Sequence, residues 1–251
     1  MAGAGADLMS ALEQARAGGV PVLEPVGTSV RRWAHGLVAA AGEAARVAEL
    51  GLWQSMVSGV DPVLGGRELD PEIDTAATLD RVRVELPESV TRSLLTRVPA
   101  VFHGGVNDGL LAGLVVAVRI WREGQGICEP SVLVRLEGHG REEQVLAGAD
   151  LSRTVGWFTS MFPVCFDLTD IDPGDVAAGG DAVVAAVLSV KETLRSIPDK
   201  GIGYGMLRYL NPKPRICCPP GCPGASGSTT SARSATGTTL SAAESTADWV
   251  T

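Results

Sequence analysis

The residues best suited to chemistry are crowded into six positions, E-G-H-G-R-E at Glu137–Glu142. Glu137 is a carboxylate that can accept a proton, His139 stands between two glycines, and Arg141 can steady a carboxylate. Before them, Val132, Val134 and Leu136 alternate with other residues, the period of a half-buried strand, which delivers Glu137 to a strand-to-loop junction. Gly138 and Gly140 free the backbone for conformations that a side chain forbids and leave room for a ligand, while Arg141 and Glu142 are expected to form a charge pair beside it. A second apolar and aromatic run, Val155–Val164, opens at Arg153-Thr154 and reads as a neighbouring buried strand, with Trp157 and Phe158 in the core. On pattern alone, Glu137 reads more readily as a strand-end carboxylate paired with Arg141 than as a catalytic base.

These residues need a scaffold, and the chain has one. Its 251 residues are 45% hydrophobic and 20% charged, enough to bury a real core. A net charge of −8 without a Lys/Arg cluster excludes a non-specific nucleic-acid binder. Leu110–Trp121 is too short for a bilayer and contains Arg119, and the N-terminus lacks a signal-peptide pattern, so no membrane partner and a cytoplasmic location are expected. Cys217, Cys218 and Cys222 in C-C-P-P-G-C lack a fourth ligand for a tetrahedral metal site, and Cys128 and Cys165 read as buried thiols.

In chain order, Met1–Gly19 predicts a helix stopped by Gly18-Gly19. Thr28 or Ser29 caps a helix over Val30–Leu50, and Trp53 anchors the next short segment as core. His35 and His103 read as structural. Asp61–Thr78 is a long Pro/Gly/Asp-rich connection, Arg81–Leu86 alternates as a strand, and Pro87 starts a helix that Pro99 closes. Val106–Arg122 predicts the best helix of the middle region, packed on the sheet. Asp181 caps Ala182–Ile197, whose buried stripe is Val183, Val187, Val190 and Leu194, with Lys191, Glu192 and Arg195 facing water. Gly201, Gly203 and Gly205 in G-I-G-Y-G lack the strand-then-helix context and the lysine of a phosphate loop, so they predict a tight turn before Met206–Leu210, with Tyr204 in a packing role. Beyond Asn211 the chain is Ser, Thr, Gly and Ala-rich without apolar period, which predicts a disordered tail: either a flexible linker or the product of a shifted reading frame near Pro212.

E-G-H-G-R-E, then R-T-V-G-W-F-T-S at Arg153–Ser160 and P-D-K-G-I-G-Y-G at Pro198–Gly205, resembles the motif series of epimerization domains of non-ribosomal peptide synthetases, members of the condensation-domain superfamily. D-G-L-L-A-G-L at Asp108–Leu114 is a weaker match to a further motif, and the similarity runs from about Leu8 to Asn211. The resemblance implies an α/β, chloramphenicol-acetyltransferase-like condensation-domain fold, mostly its second lobe. It implies residues 1–78 as a remnant of the N-terminal lobe and the inter-lobe connection, 79–211 as the C-terminal lobe, and 212–251 as the disordered tail.

By that resemblance, the intact parent inverts the α-carbon of an aminoacyl or peptidyl thioester carried on the phosphopantetheine arm of a carrier domain. No cofactor is bound directly, and the partners are a peptidyl carrier domain and other synthetase modules. Glu137 is the implied base, Arg141 its positioning or electrostatic support, and His139 and Tyr204 the substrate-side residues. The family's opposing group is a histidine of H-H-x-x-x-D-G, and this sequence has no adjacent histidines. The expected activity of the chain alone is therefore none. The alternatives are a condensation-type, amide-forming domain fragment, which E-G-H-G-R-E disfavours, and a non-catalytic carrier-docking module.

Overall fold

The computed structural model describes residues 2–65, 67, 70–212 and 230–232. The chain divides into two compact units, each drawn from separated stretches: the first from within 1–51, 138–161 and 198–216, the second from within 52–137, 162–197 and 217–251.

The first unit holds α1 (Ala2–Arg16) and α2 (Val30–Ala40). α1 ends as expected where Gly18 turns left-handed at φ 80°. Ser29 starts α2, its hydroxyl accepting the Arg32 N–H at 3.2 Å. The single helix expected over Val30–Leu50 is instead broken. α2 stops at Ala40, a short turn follows at Ala44–Val47, and a new helix, α3 (Leu50–Val57), begins at Leu50. Gly42 lies in the break, where a residue of poor helix propensity costs least. The core of this unit is Trp33, Ala40, Ala41, Leu151, Ile202 and Met206, with Leu37, Leu146 and Phe158 packed against it. The expected turn at G-I-G-Y-G is a 3₁₀ turn, Pro198–Gly201, running into a short helix, Ile202–Gly205, and then a wide π turn, Met206–Leu210.

The second unit is built on β1 (Ser131–Gly138), flanked in the order β2-β1-β3 by β2 (Ser160–Asp167) and β3 (Thr230–Ala232). Val132 and Val134 of β1 are fully buried and Leu136 nearly so, as the alternation predicts. β2 starts five residues later than the apolar run at Val155 suggests, because 155–159 are loop, and Trp157 there is 73% exposed rather than core. Trp53 does anchor a core, buried edge-on against Phe162 of β2. β3 runs parallel to β1, Val134 opposite Thr230. The remainder of the expected tail, with Cys217, Cys218 and Cys222, lies outside the described residues.

Two helices cover this unit's core: α5 (Val106–Gly124), which buries Leu111, Val115 and Val116, and α6 (Ala182–Arg195), which buries Ala186, Val187 and Val190. Among the described residues no single helix is long and apolar enough to cross a membrane. Before α5, α4 (Glu88–Phe102) passes through Pro99 instead of ending there. A π turn at Ser93–Arg97 widens the helix just ahead of the proline, which absorbs its missing N–H and its ring. His103, left-handed at φ 48°, is the actual stop. Lys191 of α6, expected in water, is buried, its Nζ donating to the Phe102 carbonyl at 2.7 Å, and Arg195 donates to the His103 carbonyl at 3.0 Å. Two cations thus neutralise the carbonyl end of α4. Arg81–Leu86 forms no strand. Among the described residues no strand pairs with it, and Val82 and Val84 are exposed.

Arg122 of α5 is the buried ion of this unit, 1% exposed, donating to Asp61 Oδ1 at 2.8 Å, the Pro62 carbonyl at 2.9 Å and the Ser131 carbonyl at 3.0 Å. Burial lifts the Asp61 carboxyl above the ordinary aspartate range even against the guanidinium beside it. Arg122→Met leaves that carboxyl buried without its cation and is expected to cost about 3–5 kcal/mol in chemical denaturation. Because an acid with a raised native pKa loses stability as pH rises through its titration, the deficit should be larger at pH 7 than at pH 4.

Candidate functional site

Within the first unit the three sequence motifs meet, the first of them from Gly138 onward. The loop after β1 turns at Gly140, whose φ of 68° and whose approach to the Phe158 carbonyl leave no space for a Cβ. The close approach is therefore from the chain's own backbone, not from a ligand. Gly138 does not have a positive φ. Arg141 closes the loop. Its guanidinium donates to the Leu151 carbonyl, donates to the Thr154 carbonyl at 2.8 Å, and lies 4.3 Å from the centre of the Phe158 ring. Thr154 and Asp150 are in turn held by Thr28, fully buried, whose carbonyl accepts the Thr154 hydroxyl at 2.6 Å and whose Oγ1 accepts the Asp150 N–H at 3.0 Å.

Glu142, expected beside Arg141 as its ion-pair partner, instead faces the third motif. It is 2% exposed, with Oε2 3.5 Å from Lys200 Nζ and accepting the Gln144 amide at 3.0 Å, and with Oε1 3.5 Å from His139 Nδ1. The reason for the change is geometric: once Arg141 has turned toward Leu151 and Thr154, the neighbouring side chain leaves the opposite side of the loop. Lys200 sits in P-D-K-G with Asp199 before it, both left-handed at φ 48° and 43°, and Gly201 follows at φ 83°. Two successive non-glycine residues in that region are costly, and tertiary contacts hold them there. Asp199 accepts from Arg46 Nη2 at 2.7 Å, and Arg46 also pairs with Glu49 at 2.5 Å. Gly203 abuts that ion pair so closely that a Cβ would overlap it.

Of the residues singled out in the sequence, His139 is exposed and its Nδ1 accepts the Arg141 backbone N–H at 3.0 Å. Tyr204 is buried, 3% exposed, its hydroxyl oxygen accepting from Arg208 Nη1 at 2.5 Å, in keeping with a packing role. Glu137, half-buried, is the last residue of the second unit, one position before the loop. Sequence reasoning missed Arg46, Glu142, Asp199 and Lys200 as a group. P-D-K-G held two of them and E-G-H-G-R-E a third, but nothing in the sequence joined them.

A condensation-domain family model matches residues 5–216. The chain belongs to the condensation-domain family. Among family members it is 40% identical over 205 residues to one of the linear gramicidin synthase proteins of Brevibacillus parabrevis, covering 82% of this chain and 2% of that synthase. It is 36% identical over 185 residues to surfactin synthase subunit 2 of Bacillus subtilis, covering 72% of this chain and 5% of that one. The chain is also similar to the solved epimerization domain from the third module of tyrocidine synthetase B, with a TM-score of 0.65, 30% identity, and coverage of 81% of this chain and 43% of that one. The first condensation domain of the CDA synthetase shares the fold, with a TM-score of 0.50 at 20% identity over 78% of this chain and 36% of that one. This condensation-family chain thus spans under half of the solved domain and a few per cent of the synthases.

Gly140→Ala should force both a left-handed alanine and a collision with the Phe158 carbonyl. The expected loss is at least about 1–2 kcal/mol, read as a shift in the denaturation midpoint.

Proposed function

We propose that this chain is part of a peptide-synthetase epimerization domain, which in its intact parent inverts the α-carbon of a carrier-bound aminoacyl or peptidyl thioester. The observation that carries this reading is the joining of G-H-G-R-E at Gly138–Glu142, R-T-V-G-W-F and P-D-K-G-I-G-Y-G within one unit through Arg141 and Glu142. The likeness to the tyrocidine epimerization domain supports it further.

A thioester acidifies the α-proton, so a well-placed carboxylate can remove it when water is kept away and a second group returns a proton on the other face. Glu137, at the strand end, is the proposed base. Arg141 supports it by shaping the loop that follows β1, and His139 is the proposed substrate-side residue, while the buried Tyr204 packs. The phosphopantetheine arm belongs to the carrier partner, and this chain's contribution is to receive the tethered group and move its proton. The second lobe is proposed for 79–211, with 1–78 as the remnant of the first lobe and the connection.

The condensation-family match keeps an amide-forming reading in view. The two differ in their need for an acceptor: amide formation requires a second loaded carrier, while inversion requires one.

Replacing the matching stretch of the tyrocidine epimerization domain with residues 5–211 of this chain should preserve exchange of the α-proton of a carrier-loaded aminoacyl thioester in deuterated water. Glu137→Gln in that chimera should slow exchange by about 10²-fold or more. The chain by itself, without paired histidines, should show none. A folded chimera that exchanges nothing, or one indifferent to Glu137→Gln, would overturn the reading, and amide product appearing only with two loaded carriers would favour the alternative.

A further inference from the structure

Buried carboxylates are ordinarily satisfied on both oxygens, because a desolvated acceptor without a donor costs free energy. Glu142 is not. Its Oε2 has Gln144 and Lys200, whereas Oε1 is buried and receives no hydrogen bond among the described residues. What faces Oε1 at 3.5 Å is His139 Nδ1, and that nitrogen accepts the Arg141 N–H at 3.0 Å. An Nδ1 that accepts carries no hydrogen, so two acceptors look at one another across this gap.

Nδ1 has a single position for a hydrogen bond. Neutral, with its proton on Nε2, the ring accepts from Arg141. When Nδ1 takes a proton from solvent, the nitrogen becomes a donor, the Arg141 N–H loses its acceptor, and Oε1 of Glu142, 3.5 Å away, is an acceptor it can turn to. Histidine is the side chain whose protonation lies within the physiological range. The other charges around the pair are accounted for. Lys200 Nζ approaches from the P-D-K-G turn, Asp199 of that turn is engaged by Arg46, Glu143 accepts the Leu151 N–H, and the Arg141 guanidinium is directed at Leu151 and Thr154.

We propose that Glu142 is a positioning residue of the E-G-H-G-R-E loop: through Lys200 it ties the loop to the left-handed P-D-K-G turn, and through Oε1 it takes His139 from the Arg141 N–H when the imidazole is protonated. This goes beyond the epimerization reading, since it concerns the loop's geometry and holds whatever reaction the loop serves. The loop then has two hydrogen-bonding states that differ by one proton, and in both of them His139 stays on the loop instead of swinging into solvent.

The test is amide hydrogen exchange of the full chain, isotope-labelled, reading the Arg141 protection factor between pH 5 and 8. In the wild type, protection should fall as pH falls, although it is already normalised for the intrinsic exchange rate. Glu142→Met removes the anion that favours the protonated ring and leaves an apolar group of similar length. Arg141 protection at pH 6.5 should rise, whereas a merely structural residue would lower it. Lys200→Met, at an exposed position, removes the cation competing for Glu142 and should move protection in the opposite direction. His139→Ala should leave Arg141 unprotected at every pH. Arg141 protection independent of pH, or unchanged or lowered in a folded Glu142→Met protein, would overturn the proposal. If Glu142→Met does not fold, Lys200→Met decides it, and an Arg141 amide that does not respond to that variant overturns the proposal.

Discussion

The first unit depends on where one guanidinium points. Arg141 reaches two carbonyls, of Leu151 and Thr154, and covers the Phe158 ring, so segments separated along the chain close around a single planar cation. A lysine at this position would offer a point charge and no fork, and could not satisfy both carbonyls in the same plane. The consequences spread outward. Leu151 and Phe158 are brought onto the core of Trp33, Ala41 and Met206, Gly140 is pressed on the Phe158 backbone, and Glu142 is left to face Lys200. The shape of the E-G-H-G-R-E loop is thus an electrostatic outcome that the hydrophobic core then fixes in place.

Each unit uses buried charge in the same manner. Arg122 gathers Asp61, Pro62 and Ser131 in the second unit, and buried Lys191 meets the Phe102 carbonyl at the end of α4, with the exposed Arg195 on the carbonyl that follows. Long cationic side chains suit this because their stems pack as apolar groups while their heads meet backbone oxygens. Removing such a group uncovers an acceptor with no water to replace it. In a chain whose net charge is −8, these structural cations are matched to carbonyls or single carboxylates, and Glu142 stands apart as the buried anion with one oxygen unsatisfied.

Much of the framework was legible from periodicity. β1, α5 and α6 lie where the alternation and the helical stripe place them, and Ser29 caps α2. Tyr204 packs, as its surroundings suggest. The errors share a cause, which is that a local signal was outweighed by something distant. Arg81–Leu86 has strand alternation, but a strand exists only with a partner. Pro99 is a helix breaker, but the π turn before it accommodates the ring. Trp157 is large and aromatic, yet its loop turns it outward while Phe158 beside it takes the place under Arg141. Lys191 has the character of a surface residue and is buried because α4 ends opposite it.

Alone, the sequence determined the nearest-neighbour features: the strand that carries Glu137 to its end, the glycines that permit the chain to turn left-handed at Gly140 and Gly201, the helical faces, and the motif order that leads to the condensation-domain family. These are properties of a few consecutive residues and of their steric and solvation preferences. Tertiary structure alone decided which partner each charge would meet. Asp199 takes Arg46 from 153 positions away, and Glu142 takes Lys200 in place of Arg141. A charged side chain adopts whichever counter-group lies within a few ångströms once water is excluded, and that distance is fixed by the packing of the whole unit rather than by spacing along the chain.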